Sequence, residues 1–224
     1  MHGDAGYAYG MWVVAIFNMG IFLFFTLSFL KPRGSQEWRN MGVIGAFFVA
    51  LFAEMYGFPL TIYLLSGWLG EAYPVLQPYS HKFGHLWVVV FGGSTIAWVI
   101  VMGLSLVFML MGYSLLSKGW TQIHAARGAM VTDGIYAYAR HPQYIGLFLV
   151  IIGFLIQWPT ILTVLMAPVL LLAYVHLARV EARRAEEEFG EVYNEYSGKT
   201  PDFFPPLNQW KAFLTVEVPE EIKR

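Results

Sequence analysis

Residues 144–177, YIGLFLVIIGFLIQWPTILTVLMAPVLLLAYVHL, decide the fold class of this 224-residue chain. The stretch consists of two apolar blocks, 144–156 and 161–177, and only the four residues Gln-Trp-Pro-Thr separate them. Two apolar helices with a short proline turn between them are typical of a tight transmembrane hairpin. We therefore predict that the chain is embedded in a bilayer.

The composition of the whole chain agrees with that prediction. Hydrophobic residues make up 57% of it and charged residues 13%, with a mean hydropathy of +0.53. Soluble domains carry about 25% charged residues. A net charge of −1 argues against a nucleic acid partner, because no excess of cations is present to displace counterions. The absence of cysteine excludes disulfides, thiolate metal sites and thiol nucleophiles.

Three further apolar blocks precede the hairpin, at residues 7–30, 41–65 and 86–116. Glu54 and Pro59 interrupt the second block, and the pair Gly92 and Gly93 marks the point where the membrane part of the third begins. With the hairpin, the count is about five crossings. The expected fold is an all-α, polytopic transmembrane helix bundle.

The basic residues predict the orientation of the bundle. Thirteen of the fourteen Lys and Arg residues fall in segments on one side of the five crossings, and only Lys82 falls on the other. Basic segments stay in the cytoplasm, so the N-terminus is expected outside and the C-terminus in the cytoplasm. We expect an integral protein of the inner or plasma membrane of a prokaryote.

After the hairpin, residues 178–196 are expected to continue as a cytoplasmic helix that Gly198 and Pro201 end. Its apolar residues recur at spacings of three and four. The expected organisation is three transmembrane helices in residues 1–116, a core of loop, hairpin and cytoplasmic helix in 117–206, and a cytoplasmic tail in 207–224.

The densest group of polar residues is the segment 134–146, GIYAYARHPQYIG, at the cytoplasmic mouth of the hairpin. It offers a cation at Arg140, an imidazole at His141 and several phenols. Pro142 is suited to the first turn of the next helix, whose free N–H groups could hold a carboxylate. The alternative is an interfacial anchor of Arg and Tyr residues, which composition alone favours.

The order of these residues, G-x-Y-x-x-x-R-H-P-x-Y-x-G, resembles the signature of the isoprenylcysteine carboxyl methyltransferase and phospholipid methyltransferase superfamily. In that family a hairpin and then the pattern E-E-x-x-L-x-x-x-F-G-x-x-Y-x-x-Y and an F-x-P segment follow. The matching residues here are Glu181, Phe189, Gly190, Tyr193, Tyr196, Phe203 and Pro205. Ala182 replaces the second family Glu. The resemblance covers about residues 119–206.

The resemblance implies a membrane-embedded pocket for S-adenosylmethionine, which enters from the cytoplasm while the acceptor arrives through the bilayer. The cofactor-binding residues that it implies are Tyr136, Arg140, His141, Pro142, Tyr144, Gly146, Glu181 and Tyr193. The implied reaction is methyl transfer to a lipophilic or membrane-partitioned carboxylate, thiol or amine. Membrane lipids and a lipid or small-molecule acceptor are the expected partners, and no metal is expected.

Glu181 and Arg184 lie one helical turn apart, so both could face the site as catalytic residues. The alternative for this pair is a solvated ion pair on the helix surface. Glu54 is a separate case, because a carboxylate within a span is costly. It shares a stripe with small residues that face another helix. It either contacts the acceptor or bonds a buried donor such as Tyr56 or Tyr63.

The remaining histidines give weaker signals. His81 and His85 have an i, i+4 spacing that could hold a metal, but they lack a clear third ligand, so interfacial histidines are the preferred interpretation. His176 faces either the pocket or a lipid headgroup. Two other functions stay open: an NADPH-dependent enzyme similar to the membrane sterol reductases, and a non-catalytic membrane scaffold.

Overall fold

A computed structural model describes residues 9–30, 35–69 and 84–216, and all regular secondary structure within these ranges is helical. The α-helices are α1 (Trp12–Leu30), α2 (Ser35–Phe52), α3 (Leu60–Leu69), α4 (Leu86–Val90), α5 (Thr95–Ala125), α6 (Pro142–Gln157), α7 (Ile161–Phe189), α8 (Glu191–Lys199) and α9 (Trp210–Thr215). A π-helical turn, Ala53–Gly57, follows α2, and 3-10 turns occupy Gly134–Ala137 and Leu207–Gln209.

Three helical segments in the described ranges are long and apolar enough to cross a bilayer: Trp38–Gly57, Thr95–Ala125 and Ile161–Phe189. Shorter apolar helices are Trp12–Ser28, Leu60–Leu69 and Pro142–Gln157. Large apolar side chains on these helices are exposed, Leu165 at 65% and Leu172 at 70%, as bilayer-facing residues are. The predicted class, a bundle of apolar membrane helices, is confirmed, and the count of five crossings stays a prediction.

The second apolar block does not form one continuous helix. α2 runs into the π-helical turn, Phe58 is extended (φ −127°, ψ 120°), and α3 starts at Leu60. Pro59 causes this break, since it has no N–H to donate and it disfavours helical backbone at the residue before it. The third block is also divided: α4 ends at Val90, Gly92 and Gly93 follow it with positive φ, and α5 then extends beyond the predicted end to Ala125.

The prediction of one unbroken helix over residues 178–196 was wrong. α7 ends at Phe189, because Gly190 adopts φ +56°, a left-handed conformation that favours glycine. α8 then continues past Gly198 to Lys199 and ends at Thr200, which is extended before Pro201. The break turns the chain after α7.

The fold consists of two compact units, Met1–Leu106 with Gly153–Leu170, and Val107–Ile152 with Leu171–Arg224. The first unit has a core of phenylalanine rings. Phe154 meets Phe22, Phe48 and Phe52 in edge-on contacts with centroids 5.1–5.9 Å apart. Such ring pairs stabilise a core beyond the area they bury.

In the second unit, α5 and α6 approach closely at Gly112 and Gly146. A Cβ at Gly112 would lie 2.5 Å from the Gly146 carbonyl oxygen, so both positions require a residue without a side chain. Phe213 of α9 is fully buried in the core beside these helices, and Lys118 Nζ donates to the Leu214 carbonyl oxygen at 2.8 Å. The start of the expected tail thus packs within this unit.

Candidate active site

The segment before α6 pairs with the chain that follows α8. The backbone N–H of Arg140 donates to the Pro201 carbonyl oxygen at 2.9 Å, and that of His141 donates to the Asp202 carbonyl oxygen at 3.0 Å. Pro142 then opens α6, where its missing N–H costs nothing. These bonds bring the two ends of the predicted pattern together at the start of one helix.

Arg140 fixes this junction with its side chain. Its Nη2 forms an ion pair with Asp202 Oδ1 at 2.5 Å, and its Nη1 donates to Tyr193 Oη at 3.1 Å. The Arg140 side chain is 17% exposed, so the charge-assisted bonds lie partly out of water. One guanidinium therefore holds the start of α6, the α8 helix and the 201–202 segment.

Glu181 of α7 faces the first turn of α6. Tyr144 Oη donates to Glu181 Oε1 at 2.6 Å, and His141 Nδ1 lies 3.5 Å from Glu181 Oε2. Tyr144 is buried, His141 is nearly so, and the Glu181 side chain is 43% exposed. The carboxylate therefore lies between buried aromatic groups on one side and solvent on the other.

Five aromatic rings form a closed circuit beside this carboxylate. Neighbouring centroids in the circuit lie 5.4–6.4 Å apart, in the order His141, Tyr144, Tyr174, Phe148 and Phe203. His141 Nε2 and Tyr174 Oη are buried and have no hydrogen-bond partner among the described residues. Since buried polar atoms are normally bonded, these two positions are suited to a ligand or an ordered water.

A cleft of about 470 Å³ lies next to Arg140 and Asp202. Its other lining residues all come from α7: His176, Arg179, Ala182 and Arg183. Three guanidinium groups against one carboxylate make the cleft cationic, which suits a carboxylate or a phosphate. At Ala182 the family has a glutamate, so its replacement leaves this wall small and uncharged.

Two tyrosines of the second unit, Tyr136 and Tyr196, are in contact with each other. Tyr196 Oη donates to the Tyr136 carbonyl oxygen at 2.7 Å. Burial raises the pKa of the Tyr136 phenol well above its usual value, and the negative charge of Glu181 adds to the shift. Burial likewise raises the pKa of Tyr196, although Arg140 opposes the shift. Both phenols are therefore neutral at physiological pH.

The structure brings most of the predicted site residues together within the second unit. Arg140, His141, Tyr144, Glu181 and Tyr193 are joined by the contacts above, Pro142 opens α6, and Tyr136 is linked through Tyr196. Gly146 contacts the α5 backbone, and Arg184 is exposed on α7 beside Arg183, which lines the cleft. The roles of all these residues stay predictions.

Sequence reasoning missed four residues of the site: Tyr174, Arg179, Arg183 and Asp202. The spacing of His176, Arg179 and Arg183 places them on one helical stripe, and that pattern could have been found. No sequence pattern pointed to Asp202, because its pairing with Arg140 is a tertiary contact between distant parts of the chain.

Glu54 belongs to the first unit, whereas the cluster described above belongs to the second. Its side chain is buried, and Oε2 accepts a hydrogen bond from the Thr61 N–H, in the first turn of α3, at 2.8 Å. His85 Nδ1 lies 3.0 Å from the Gln157 carbonyl oxygen, and His81 lies outside the described residues. Among the described residues, no three His, Cys, Asp or Glu side chains form a group that could hold a metal.

Comparison with known proteins finds similarity to one family. The family model of phospholipid methyltransferase matches residues 88–192. A protein-S-isoprenylcysteine O-methyltransferase of Schizosaccharomyces pombe is 35% identical over 77 residues, which cover 34% of this chain and 33% of the relative. One of Xenopus laevis is 32% identical over 127 residues, covering 49% and 42%.

A third relative has a different name. The cobalt-zinc-cadmium resistance protein CzcN of Cupriavidus metallidurans is 30% identical over 133 residues, covering 57% of this chain and 61% of that protein. The chain thus spans between a third and three fifths of the length of these curated relatives. No solved structure matches the chain.

Proposed function

We propose that this chain, which is similar to the phospholipid and isoprenylcysteine methyltransferases of membranes, methylates a lipophilic acceptor with S-adenosylmethionine at the cytoplasmic membrane face. One observation carries the proposal. Arg140, His141 and Tyr144 of the first motif meet Glu181 and Tyr193 of the second in direct contacts.

The donor groups of this cluster fit S-adenosylmethionine. The guanidinium groups of Arg140, Arg179 and Arg183 suit its carboxylate. Glu181 and the circuit of aromatic rings suit its ammonium and sulfonium cations. The unbonded His141 Nε2 offers a buried polar contact. When bound, this cofactor would supply an electrophilic methyl group, which passes to the acceptor as the carbon–sulfur bond breaks and S-adenosylhomocysteine leaves.

The residues of the chain align the reacting groups and exclude water from them. Tyr144 fixes the Glu181 carboxylate through their short hydrogen bond, and Asp202 fixes the Arg140 guanidinium. The buried rings of Tyr144 and Tyr174 keep water from one side of the cluster. Alignment of the reacting groups in a water-poor site lowers the barrier to a displacement.

The acceptor is a lipophilic carboxylate, thiol or amine. The names of two relatives refer to isoprenylcysteine, so we expect a lipidated acceptor that reaches the site through the bilayer. A carboxylate or thiolate acceptor needs no general base, whereas an amine must lose a proton. We propose Glu181 as the carboxylate that takes that proton. Arg184 remains its proposed catalytic partner, although the cleft is lined by Arg183 and not by Arg184.

Ligand-dependent thermal stabilisation of the purified chain tests the proposal against its alternatives. We expect S-adenosylhomocysteine to raise the melting temperature, because a ligand that binds only the folded state stabilises it. Stabilisation by NADPH instead would indicate a reductase, since a cationic cleft also suits its 2′-phosphate. Stabilisation by neither ligand would indicate a non-catalytic protein.

A further inference from the structure

The buried carboxylate of Glu54 has one satisfied oxygen and one unsatisfied oxygen. Oε2 accepts the Thr61 N–H, whereas Oε1 is buried and has no hydrogen-bond partner among the described residues. The residue is only 5% exposed, and it lies in the π-helical turn after α2, an irregularity that is frequent at functional sites. An oxygen of this kind is costly unless something else bonds to it.

Glu54 lines a void of about 10 Å³, together with Thr61, Gly84 and Trp158. A volume of that order admits one water-sized group. Trp158 closes the void on one side, where its ring leaves no space for a side chain at position 84. A group that donates a hydrogen bond to Glu54 Oε1 must therefore be small.

An apolar groove of about 250 Å³ adjoins this void in the same unit. Three residues line both spaces: Thr61, Leu86 and Pro159. The remaining wall of the groove is nearly all aliphatic, and it ends at Val164 and Leu165, which are 50% and 65% exposed. The two spaces together offer a compact end with the Glu54 carboxyl group and an open hydrocarbon-lined end.

We propose that this is a binding site for a long-chain primary amine, with its ammonium group at Glu54 Oε1 and its alkyl chain in the groove. An ammonium is cationic, donates hydrogen bonds and is close to water in size, so it satisfies the buried oxygen. An alcohol lacks the charge, and a trimethylammonium group is too large for the void and cannot donate a hydrogen bond. The site shares no residue with the methyltransferase cluster, so it does not rest on the proposed function.

Native mass spectrometry of the purified full chain in non-ionic detergent tests the site with three probes of equal chain length: dodecylamine, dodecanol and dodecyltrimethylammonium. We expect one bound dodecylamine and at least tenfold weaker binding of the other two. Glu54→Gln should weaken dodecylamine binding at least tenfold, while its amide oxygen can still accept the Thr61 N–H. Val164→Trp should block the groove, and Val169→Trp, an exposed control on the same helix, should bind as wild type does.

Three results would overturn the proposal: equal binding of dodecylamine and dodecanol, undiminished binding to Glu54→Gln, or no binding of dodecylamine to the wild type. The last result would mean that the void holds only water. If Glu54→Gln fails to fold, as judged by circular dichroism, the comparison of Val164→Trp with Val169→Trp and that of the three probes still decide the question.

Discussion

Tyr144 Oη and Glu181 Oε1 lie 2.6 Å apart, and this hydrogen bond joins the first helix of the hairpin to the C-terminal part of its second. Tyr144 is buried while Glu181 is 43% exposed on its side chain, so the phenol fixes a carboxylate that solvent and ligands can reach. Such a carboxylate is held in one orientation, as recognition of a cation requires.

Glu181→Gln should reduce methyl transfer roughly tenfold to hundredfold, because it removes the charge and keeps the shape. Partial exposure limits the loss, since solvent screens the interaction. Glu186→Gln and Glu187→Gln are the matched controls, because both residues are exposed on the same helix, and each should change the rate less than twofold. Initial rates with labelled S-adenosylmethionine measure the effect, and equal small losses at all three positions would remove Glu181 from the site.

Tyr144→Phe should reduce methyl transfer by a smaller factor, about threefold to tenfold, since the ring still packs and only the orienting hydrogen bond is lost. Combination with Glu181→Gln should cost less than the product of the single effects, because the two groups act through one contact. The measurement is a double-mutant cycle, which compares the rates of the wild type, the two single variants and the double variant. Independent, multiplicative effects would contradict a shared role.

Arg183→Ala should weaken S-adenosylhomocysteine binding about tenfold, because the side chain lines the cationic cleft. Arg184→Ala should have a smaller effect, since its neighbour and not Arg184 itself faces the cleft. Isothermal titration of both variants provides the comparison within one helical turn. A larger loss for Arg184→Ala would support its role as the catalytic partner of Glu181 and contradict the assignment to Arg183.

Stability should decrease above pH 10 because of Tyr136 and Tyr196. Burial raises both phenol pKa values in the folded state, whereas the unfolded phenols ionise near pH 10. Above that pH the unfolded state binds fewer protons than the folded state, so the free energy of unfolding falls as the pH rises. Melting temperatures between pH 8 and 12 measure this, and Tyr196→Phe should show a shallower decrease. A constant melting temperature across the range would contradict the burial of these phenols.

A single-cysteine scan should report the predicted topology, and it has no background, because the native chain contains no cysteine. We expect a cysteine at position 82, which lies outside the described residues, to react with an impermeant reagent from the outside. A cysteine at position 35 should react only from the cytoplasm. The reverse labelling of either position would overturn the assigned orientation.

Local signals made the hairpin predictable and hid the helix break at Gly190. The turn around Pro159 was visible, because proline and polar residues separate two apolar blocks there, and the structure ends α6 at Gln157 and begins α7 at Ile161. The break at Gly190 was missed, since the apolar stripe continues through it and a single glycine costs a helix only about 1 kcal/mol. The left-handed conformation of Gly190 depends on the direction in which the chain enters α8, and tertiary packing determines that direction.

The site was predictable as a set of residues but not as a set of contacts. The motif order identified Arg140 and Glu181, because their spacing resembles a family pattern. The ion pair of Arg140 with Asp202 and the bond of Glu54 to Thr61 could not be predicted, because they depend on how the chain turns after α8 and at Pro59. Contacts of this kind follow from tertiary packing, which residue spacing does not encode.

Transfer of label from methyl-labelled S-adenosylmethionine into the organic-solvent-extractable fraction tests the central claim most directly. The purified chain is reconstituted in vesicles of a total lipid extract from its source cells, and the extract is counted after incubation. We expect labelled lipophilic product with the wild type and at least a tenfold lower yield with Arg140→Ala, which loses the contacts to Tyr193 and Asp202. Absence of label in the organic phase, from a folded chain that S-adenosylhomocysteine does not stabilise, would contradict the account.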